Sequence, residues 1–203
     1  MLYAIKVFDV ADSGPLRDIH RKAHLDYLKG FDEQTFFAGP ILTNDLKQEL
    51  GSYRLMEFPD HQSAEAHVEE EPYFKADVQY GAEIHPWSAS VPYSWRDCPR
   101  TEGYVQYLIH AIDKPDSNAL RDELRQEHET YQKSVSDLYI TRGPLLSNER
   151  THQIGSLMII DVPDLDRAQK FWEDEPFNKQ ELFEKVEFYG WRFGRVMDRF
   201  KNT

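Results

Sequence analysis

The sequence predicts an α+β fold in which two ferredoxin-like βαββαβ repeats pack against each other as an intramolecular pseudo-dimeric α+β barrel. Three observations support this prediction. The chain repeats itself without a gap at an offset of 104 residues. The same order of strands and helices can be assigned in both copies. A four-stranded sheet with helices on one face also needs a second sheet to cover its other face.

The repeat divides the chain of 203 residues into two similar units. About three in ten aligned pairs are identical, and residues that fix backbone geometry or packing are prominent among them. Examples are Gly39-Pro40 with Gly143-Pro144, Gly51-Ser52 with Gly155-Ser156, and Trp87 with Trp191. We assign residues 1–90 to repeat 1, 91–102 to a linker, 103–194 to repeat 2 and 195–203 to a C-terminal tail.

Each repeat is predicted to contain six elements in the same order. Alternating β-branched and aromatic residues predict the strands, and four-residue spacing of side chains from Leu16 to Leu28 predicts the first helix. Ser13 and Asp60 are the expected N-caps of the two helices. In repeat 1 the predicted elements are a strand over 2–8, a helix that starts near Pro15, strands over 35–38 and 51–58, a helix over 62–70, and a strand over 78–87.

The composition limits the possible partners and the compartment. The formal net charge of -12 argues against nucleic acid and against an anionic membrane surface, because both require basic patches. No signal peptide and no membrane-spanning segment is predicted. The single cysteine, Cys98, allows no internal disulfide, and a reducing cytoplasm is expected. Cys98 lies outside the repeat and is interpreted as an incidental linker thiol.

The first helix of each repeat carries the residues that indicate chemistry. Arginine, histidine and tyrosine follow one another at three-residue spacing on one helix face: Arg21, His24 and Tyr27, and Arg125, His128 and Tyr131. A histidine beside the apolar row can act as a general acid or base. Alternatively it is a core-edge residue that donates to a backbone carbonyl. The arginines either hold an anionic group or, as we favour, pair with Asp18 and Asp122.

Several of these motifs resemble the YciI-like (YCII) family of the dimeric α+β barrel superfamily. They are the arginine–histidine helix, the Gly-Pro after the second strand, the glycine that opens the third, and the acidic-Pro-aromatic segment after the second helix. The likeness covers about residues 1–90 and 103–194. It implies a ferredoxin-like unit that pairs into a barrel.

The resemblance also implies a site. The family pairs the helix histidine with an aspartate in an Asp-Pro-Phe/Tyr segment, which here matches His24 with Glu71 and His128 with Glu175. Both positions therefore hold glutamate, one methylene longer than aspartate. Most members have no known function, one branch is a cofactor-free dehydrochlorinase on chlorinated hydroxyquinols, and related barrels include muconolactone isomerases and cofactor-free monooxygenases. The alternative for the glutamates is a solvated acidic helix end.

Strand alternation adds further candidates. If Tyr3, Ile5 and Val7 face the helices, Lys6 faces the barrel interior. The repeat counterpart of Lys6 is His110, and that of Arg54 on the third strand is Met158. The two pockets should therefore differ, and a cationic one would suit a small carboxylate or phenolate. The alternative is that these charges are exposed on edge strands.

Together these features predict a cofactor-independent lyase or isomerase that uses histidine acid/base chemistry on a small oxygenated, ring-derived molecule. His24 or His128 would move the proton, Glu71 or Glu175 would orient the imidazole, and Arg54 or Lys6 would hold an anionic oxygen. The further candidates for substrate binding are His110, Arg21, Arg125, Tyr27 and Tyr131. No metal or cofactor is predicted, because the remaining histidines show no metal-ligand spacing. A non-catalytic small-molecule-binding or partner protein is the alternative, and a homodimer of fused chains is left open.

Overall fold

Eight antiparallel strands form one sheet in the computed structural model, which describes residues 1–194. The predicted tail over 195–203 lies outside the described residues. Repeat 1 contains β1 (Leu2–Asp9), α1 (Gly14–Lys29), β2 (Thr35–Leu42), β3 (Glu49–Glu57), α2 (His61–Glu69), α3 (Pro72–Lys75) and β4 (Gln79–Pro86). Repeat 2 contains β5 (Val105–Asp113), α4 (Asn118–Ser134), a 3-10 turn (Ser136–Leu138), β6 (Tyr139–Leu146), β7 (Gln153–Val162), α5 (Leu165–Asp174), α6 (Pro176–Lys179) and β8 (Phe183–Trp191).

The strand order β4-β1-β3-β2-β8-β5-β7-β6 joins the two repeats through β2 and β8. Ile41 on β2 pairs with Trp191 on β8. At the equivalent place in the other repeat, Leu145 on β6 forms a bridge with Trp87 after β4. The sheet therefore closes on itself through two related junctions, and the predicted two-repeat α+β barrel is confirmed.

Two glycines make these junctions possible. A Cβ atom on Gly39 would lie 1.9 Å from the carbonyl oxygen of Arg192, and one on Gly143 would lie 1.8 Å from that of Ser88. Both distances are far inside van der Waals contact, so only glycine lets the chain that leaves one repeat approach the second strand of the other. This close approach explains why the Gly-Pro motif occurs in both repeats.

Hydrophobic cores lie on both faces of the sheet. Inside the barrel, side chains of both repeats pack together, and Trp95 and Cys98 from the predicted linker join them, at 6% and 8% exposure. On the outer face, the helices cover the other side of each strand, as where Ile5 and Val7 pack with Val68 of α2. Cys98 is therefore part of the barrel core although it lies in the predicted linker.

The local predictions hold with three exceptions. The second strand, predicted to end at Ala38, continues through Gly39-Pro40 to Leu42. Asp60 caps α2 by accepting the Ser63 backbone N–H at 2.8 Å. Ser13 occupies the N-cap position of α1, but its side chain makes no capping hydrogen bond. The short helices α3 and α6 were not predicted, and each begins at the proline of the acidic-Pro-aromatic segment. Within residues 1–194, no helix has the length and apolar character needed to cross a membrane.

Candidate functional site

In repeat 1 the structure brings His24 and Glu71 together. His24 Nδ1 donates to Glu71 Oε1 at 2.6 Å, and the imidazole stacks on Tyr73 with ring centroids 4.0 Å apart. Glu71 lies directly before Pro72, which holds its backbone extended and directs the side chain under α1. Its carboxylate is fully buried. The alternative of a solvated acidic helix end is therefore wrong for this residue.

Repeat 2 contains the same arrangement. His128 Nδ1 donates to Glu175 Oε1 at 2.7 Å and stacks on Phe177 at 4.1 Å. The second oxygen of Glu175 accepts the backbone N–H of Asn178 at 2.8 Å. In repeat 1 the corresponding oxygen of Glu71 finds no hydrogen-bond partner within residues 1–194. In both repeats the glutamate therefore reaches the histidine, and its extra methylene does not prevent the hydrogen bond.

The charge state of Glu71 determines what His24 can do. Burial acts to raise the pKa of the Glu71 carboxyl, but the hydrogen bond from His24 and the charge of Arg54 outweigh it and hold the pKa below its usual value. The carboxylate is therefore ionised at neutral pH and accepts the proton on His24 Nδ1. In a neutral imidazole this leaves Nε2 as a proton acceptor.

Arg54 supplies a buried cation to the same pocket. Its guanidinium is 2% exposed and lines the cavity beside His24. Nη1 lies 3.2 Å from His67 Nε2, whereas Nε and Nη2 have no hydrogen-bond partner within the described residues. Burial, assisted by the charge of Arg54, lowers the pKa of His67 to about 3. His67 is therefore neutral and positions Arg54 by accepting from it.

The cavity that contains these groups lies between α1 and the outer face of β2 and β3. Its volume is about 90 Å³. Arg192 and Gly194, which follow β8 of repeat 2, form part of its wall. The site of repeat 1 is therefore completed by residues of repeat 2.

The corresponding cavity of repeat 2 differs in size and in its cation. Its volume is about 620 Å³, and Ser90 at the end of repeat 1 contributes to its wall. Met158 occupies the position of Arg54, but Arg142 on the neighbouring strand lines this cavity. Arg142 Nη1 donates to Gln132 at 2.6 Å. Sequence reasoning missed both Arg142 and His67. The repeat alignment matches Arg142 with Ala38, which gave no sign of a shared role.

The other predicted residues of the first helix have local partners. Arg21 pairs with Asp18 at 3.0 Å and Arg125 pairs with Asp122, in line with the favoured prediction, while both arginines also border their cavities. The tyrosine hydroxyl groups bind helix backbone. Tyr27 donates to the carbonyl of His67 at 3.0 Å, and Tyr131 donates to that of Phe171 at 2.5 Å. The tyrosines therefore tie α1 to α2 and α4 to α5, and their role in substrate binding stays a prediction.

Lys6 and His110 lie on the other face of the sheet, inside the barrel. Both are 1% exposed, so the alternative of exposed edge charges is wrong. Lys6 pairs with Glu187 and, at 2.8 Å, with Glu83. Arg54 faces the helices because it is opposite Ile5 in the β1–β3 register. Lys6 and His110 therefore do not share a pocket with His24 or His128, and their role in substrate binding stays a prediction.

Comparisons with solved structures agree with this fold. A chlorite dismutase from Candidatus Nitrospira defluvii is 9% identical, with a TM-score of 0.66, over 98% of this chain and 94% of the other. A heme-binding protein from Thermus thermophilus is 13% identical, with a TM-score of 0.56, over 100% of this chain and 95% of the other. At these identities the likeness shows the fold alone.

A 5-chloro-2-hydroxyhydroquinone dehydrochlorinase from Burkholderia phenoliruptrix AC1100 is also similar. It is 28% identical, with a TM-score of 0.40, over 43% of this chain and 94% of its own. No match is found among the curated proteins.

The family comparison covers most of the chain. The model of the YCII-related domain matches twice, at residues 1–88 and at residues 105–192. These segments contain the histidine, the glutamate and the Gly-Pro motif of each repeat. The chain therefore belongs to the family of YCII-related domains, of which it carries two tandem copies.

Proposed function

We propose that the protein is a cofactor-independent lyase or isomerase that uses histidine acid/base chemistry on a small oxygenated anion, with the site of repeat 1 as the reaction centre. One observation carries the proposal. A buried carboxylate, the imidazole hydrogen-bonded to it and a guanidinium with two nitrogens that have no partner within residues 1–194 meet at one cavity. Buried donors without partners cost stability, so their presence supports a role in binding an anionic group.

The groups fit a proton-transfer reaction. His24 Nε2 would remove a proton from a carbon beside a carbonyl, or from a hydroxyl group, and Glu71 would stabilise the imidazolium that forms. The electron pair of the broken bond would move onto the substrate oxygen, where the N–H groups of Arg54 would stabilise the negative charge. Return of the proton to another carbon gives isomerisation, and departure of an anionic leaving group gives elimination.

Proton exchange with solvent tests this reaction before a substrate is known. We would incubate the protein in D₂O with a panel of hydroxyquinols, enol lactones and 2-oxo acids and follow loss of C–H signals by proton NMR. The wild-type protein should catalyse exchange in at least one compound. His24→Gln should reduce the rate by about a hundredfold or more, which is the usual contribution of a general base.

The second repeat provides the matched control. His128→Gln alters an equivalent histidine with an equivalent glutamate partner, and it should leave the exchange rate within about twofold of wild type because the reaction is assigned to repeat 1. Equal rates for wild type and His24→Gln would refute the role of His24. The reverse pattern, with loss only in His128→Gln, would move the reaction to repeat 2 and refute the assignment to repeat 1.

A non-catalytic ligand-binding role is the second candidate. The second site favours it for repeat 2, because its larger cavity and the hydrogen-bonded Arg142 provide a pocket with less unpaired charge. This candidate predicts saturable binding of a compound that the protein leaves unchanged and unexchanged over long incubation.

A further inference from the structure

A separate polar cluster lies inside the barrel, on the sheet face opposite the two dyads. Glu83 and His85 on β4 and His110 on β5 place their potential ligand atoms within 4.8 Å of one another. The imidazole rings of His85 and His110 have centroids 5.9 Å apart. β4 and β5 belong to different repeats and are not neighbours in the sheet, so closure of the barrel creates this cluster.

We propose that Glu83, His85 and His110 bind a divalent first-row transition-metal ion, such as Zn²⁺, inside the barrel. Two imidazoles and one carboxylate are the donor set that such ions use when one coordination position remains for water or another ligand. The site is distinct from the proposed reaction centres, and its ligands come from both repeats. A bound ion would therefore also hold the two halves of the barrel together.

The surroundings of His110 support this role. Its Nδ1 lies 2.7 Å from the hydroxyl of Tyr53, whereas its Nε2 is buried and has no hydrogen-bond partner within residues 1–194. Nδ1–H can donate to the Tyr53 oxygen, which leaves the Nε2 lone pair for a metal. Metal-binding histidines commonly donate their other ring N–H to such a partner.

The charges of the cluster permit an added cation. Lys6 contacts both Glu83 and Glu187, and Lys185 lies 3.2 Å from Glu187 and 3.7 Å from Glu83. Lys6 competes with an ion for Glu83. When Glu83 turns to the ion, Lys6 can keep its ion pair with Glu187. Two lysines and two glutamates balance, so the incoming ion meets no net positive charge.

The distances require only a small contraction. Three atoms 4.8 Å apart surround a centre about 2.8 Å from each, compared with about 2.0–2.2 Å for zinc bonds to nitrogen and oxygen. Movements of less than about 1 Å therefore complete the site. Glu83 is 35% exposed and can make such a movement. No sequence spacing indicates this site, because its histidines lie in different repeats.

Metal titration of the full-length protein tests the proposal. After removal of metals with EDTA, we would titrate Zn²⁺ by calorimetry and Co²⁺ by absorbance. We expect one ion per chain and visible cobalt bands typical of low coordination number. Glu83→Gln and His85→Ala should each weaken binding by at least about tenfold. Tyr53→Phe removes only the outer partner of His110 and should weaken binding by about tenfold.

His152→Ala is the matched control, because His152 is an exposed histidine outside the cluster and its loss should leave the affinity unchanged. Zn²⁺ should also raise the Tm of the wild type and of His152→Ala but not that of His85→Ala. Absence of a one-to-one site in the wild type would overturn the proposal. Equal affinities of Glu83→Gln, His85→Ala and His152→Ala would also overturn it, since binding would then be at the surface.

Discussion

Arg54 and Arg142 belong to equivalent cross-strand pairs in the two repeats, but they lie on different strands of the pair. Arg54 on β3 faces Ala38 on β2, whereas Arg142 on β6 faces Met158 on β7. Directly opposed residues of an antiparallel pair lie on the same face of the sheet, so both guanidinium groups reach the cavity of their own repeat. Each cavity thus contains one arginine at this level, but a different strand carries it.

This exchange predicts that the arginine of repeat 1 can be moved. Arg54→Met should weaken binding of a small carboxylate such as benzoate by about 1.5–3 kcal/mol, because hydrogen bonds to a charged group are lost. Adding Ala38→Arg to this variant reproduces the pair found in repeat 2 and should recover part of the affinity. Calorimetric titration with benzoate measures both effects.

The same variants separate binding from stability. Two donors of Arg54 are buried without partners within residues 1–194, but its charge also stabilises ionised Glu71. The two effects oppose each other, so Arg54→Met should change the free energy of unfolding, measured by urea denaturation, by less than about 2 kcal/mol. A double variant that binds benzoate no better than Arg54→Met would contradict the equivalence of the two positions.

The glycines at the barrel junctions give a second prediction. Gly39→Ala and Gly143→Ala each place a methyl group less than 2 Å from a backbone carbonyl oxygen, so the junction must open. Each should lower the free energy of unfolding by about 2–4 kcal/mol, as overpacking against a rigid backbone does. Urea denaturation measures this loss.

Gly14→Ala is the control for these variants. Gly14 begins α1, and an added Cβ would meet nothing within 4 Å. Alanine there should be neutral or stabilising by up to about 1 kcal/mol. If all three glycine variants had the same stability, the close approach at the junctions would not govern closure of the barrel.

The packing of Cys98 predicts an unreactive thiol. Burial raises the pKa of Cys98 to about 11, and its side chain lies in the barrel core. At pH 7.5 the thiolate fraction is then below about one in a thousand. A disulfide reagent such as 5,5′-dithiobis(2-nitrobenzoic acid) should therefore modify the native protein very slowly and the urea-unfolded protein at once. Rapid modification of the native protein would contradict burial of this residue.

The sequence was sufficient for the architecture because its evidence is repeated. Glycine, proline and tryptophan recur at one offset, and each is tied to a specific backbone geometry that the two junctions require. The likeness to the YCII family also matched His24 with Glu71, which the structure brings to hydrogen-bond distance. Local alternation correctly directed Lys6 inward.

Contacts between strands and between repeats could not be predicted in the same way. Arg54 faces the helices because the register places it opposite Ile5, and register does not follow from one strand alone. Arg142 is visible only when its opposed partner is known. His85 and His110 meet only after the barrel closes, so no local spacing indicates their contact.

Buried neutral histidines predict how stability depends on pH. Burial lowers the pKa of His67 and of His110 to about 3, compared with about 6.5 in an unfolded chain. Below pH 6.5 the unfolded chain binds protons that the folded protein does not, so the free energy of unfolding falls as pH decreases toward 3. Each histidine contributes a slope of about 1.4 kcal/mol per pH unit in this window, and the lowered pKa of His85 acts in the same direction.

The interval from pH 6 to pH 5 isolates this effect. Glu71 and Glu187 also have lowered pKa values. Above the usual pKa of a glutamate both are ionised in the folded and in the unfolded state, so their contribution to stability is lost only at more acidic pH. Urea denaturation across this interval should show His67→Gln with a slope smaller by about 1.4 kcal/mol per pH unit, while His152→Gln, an exposed control, keeps the wild-type slope. If His67→Gln retained the full slope, His67 would bind its proton equally in both states. Burial against Arg54 would then not hold it neutral.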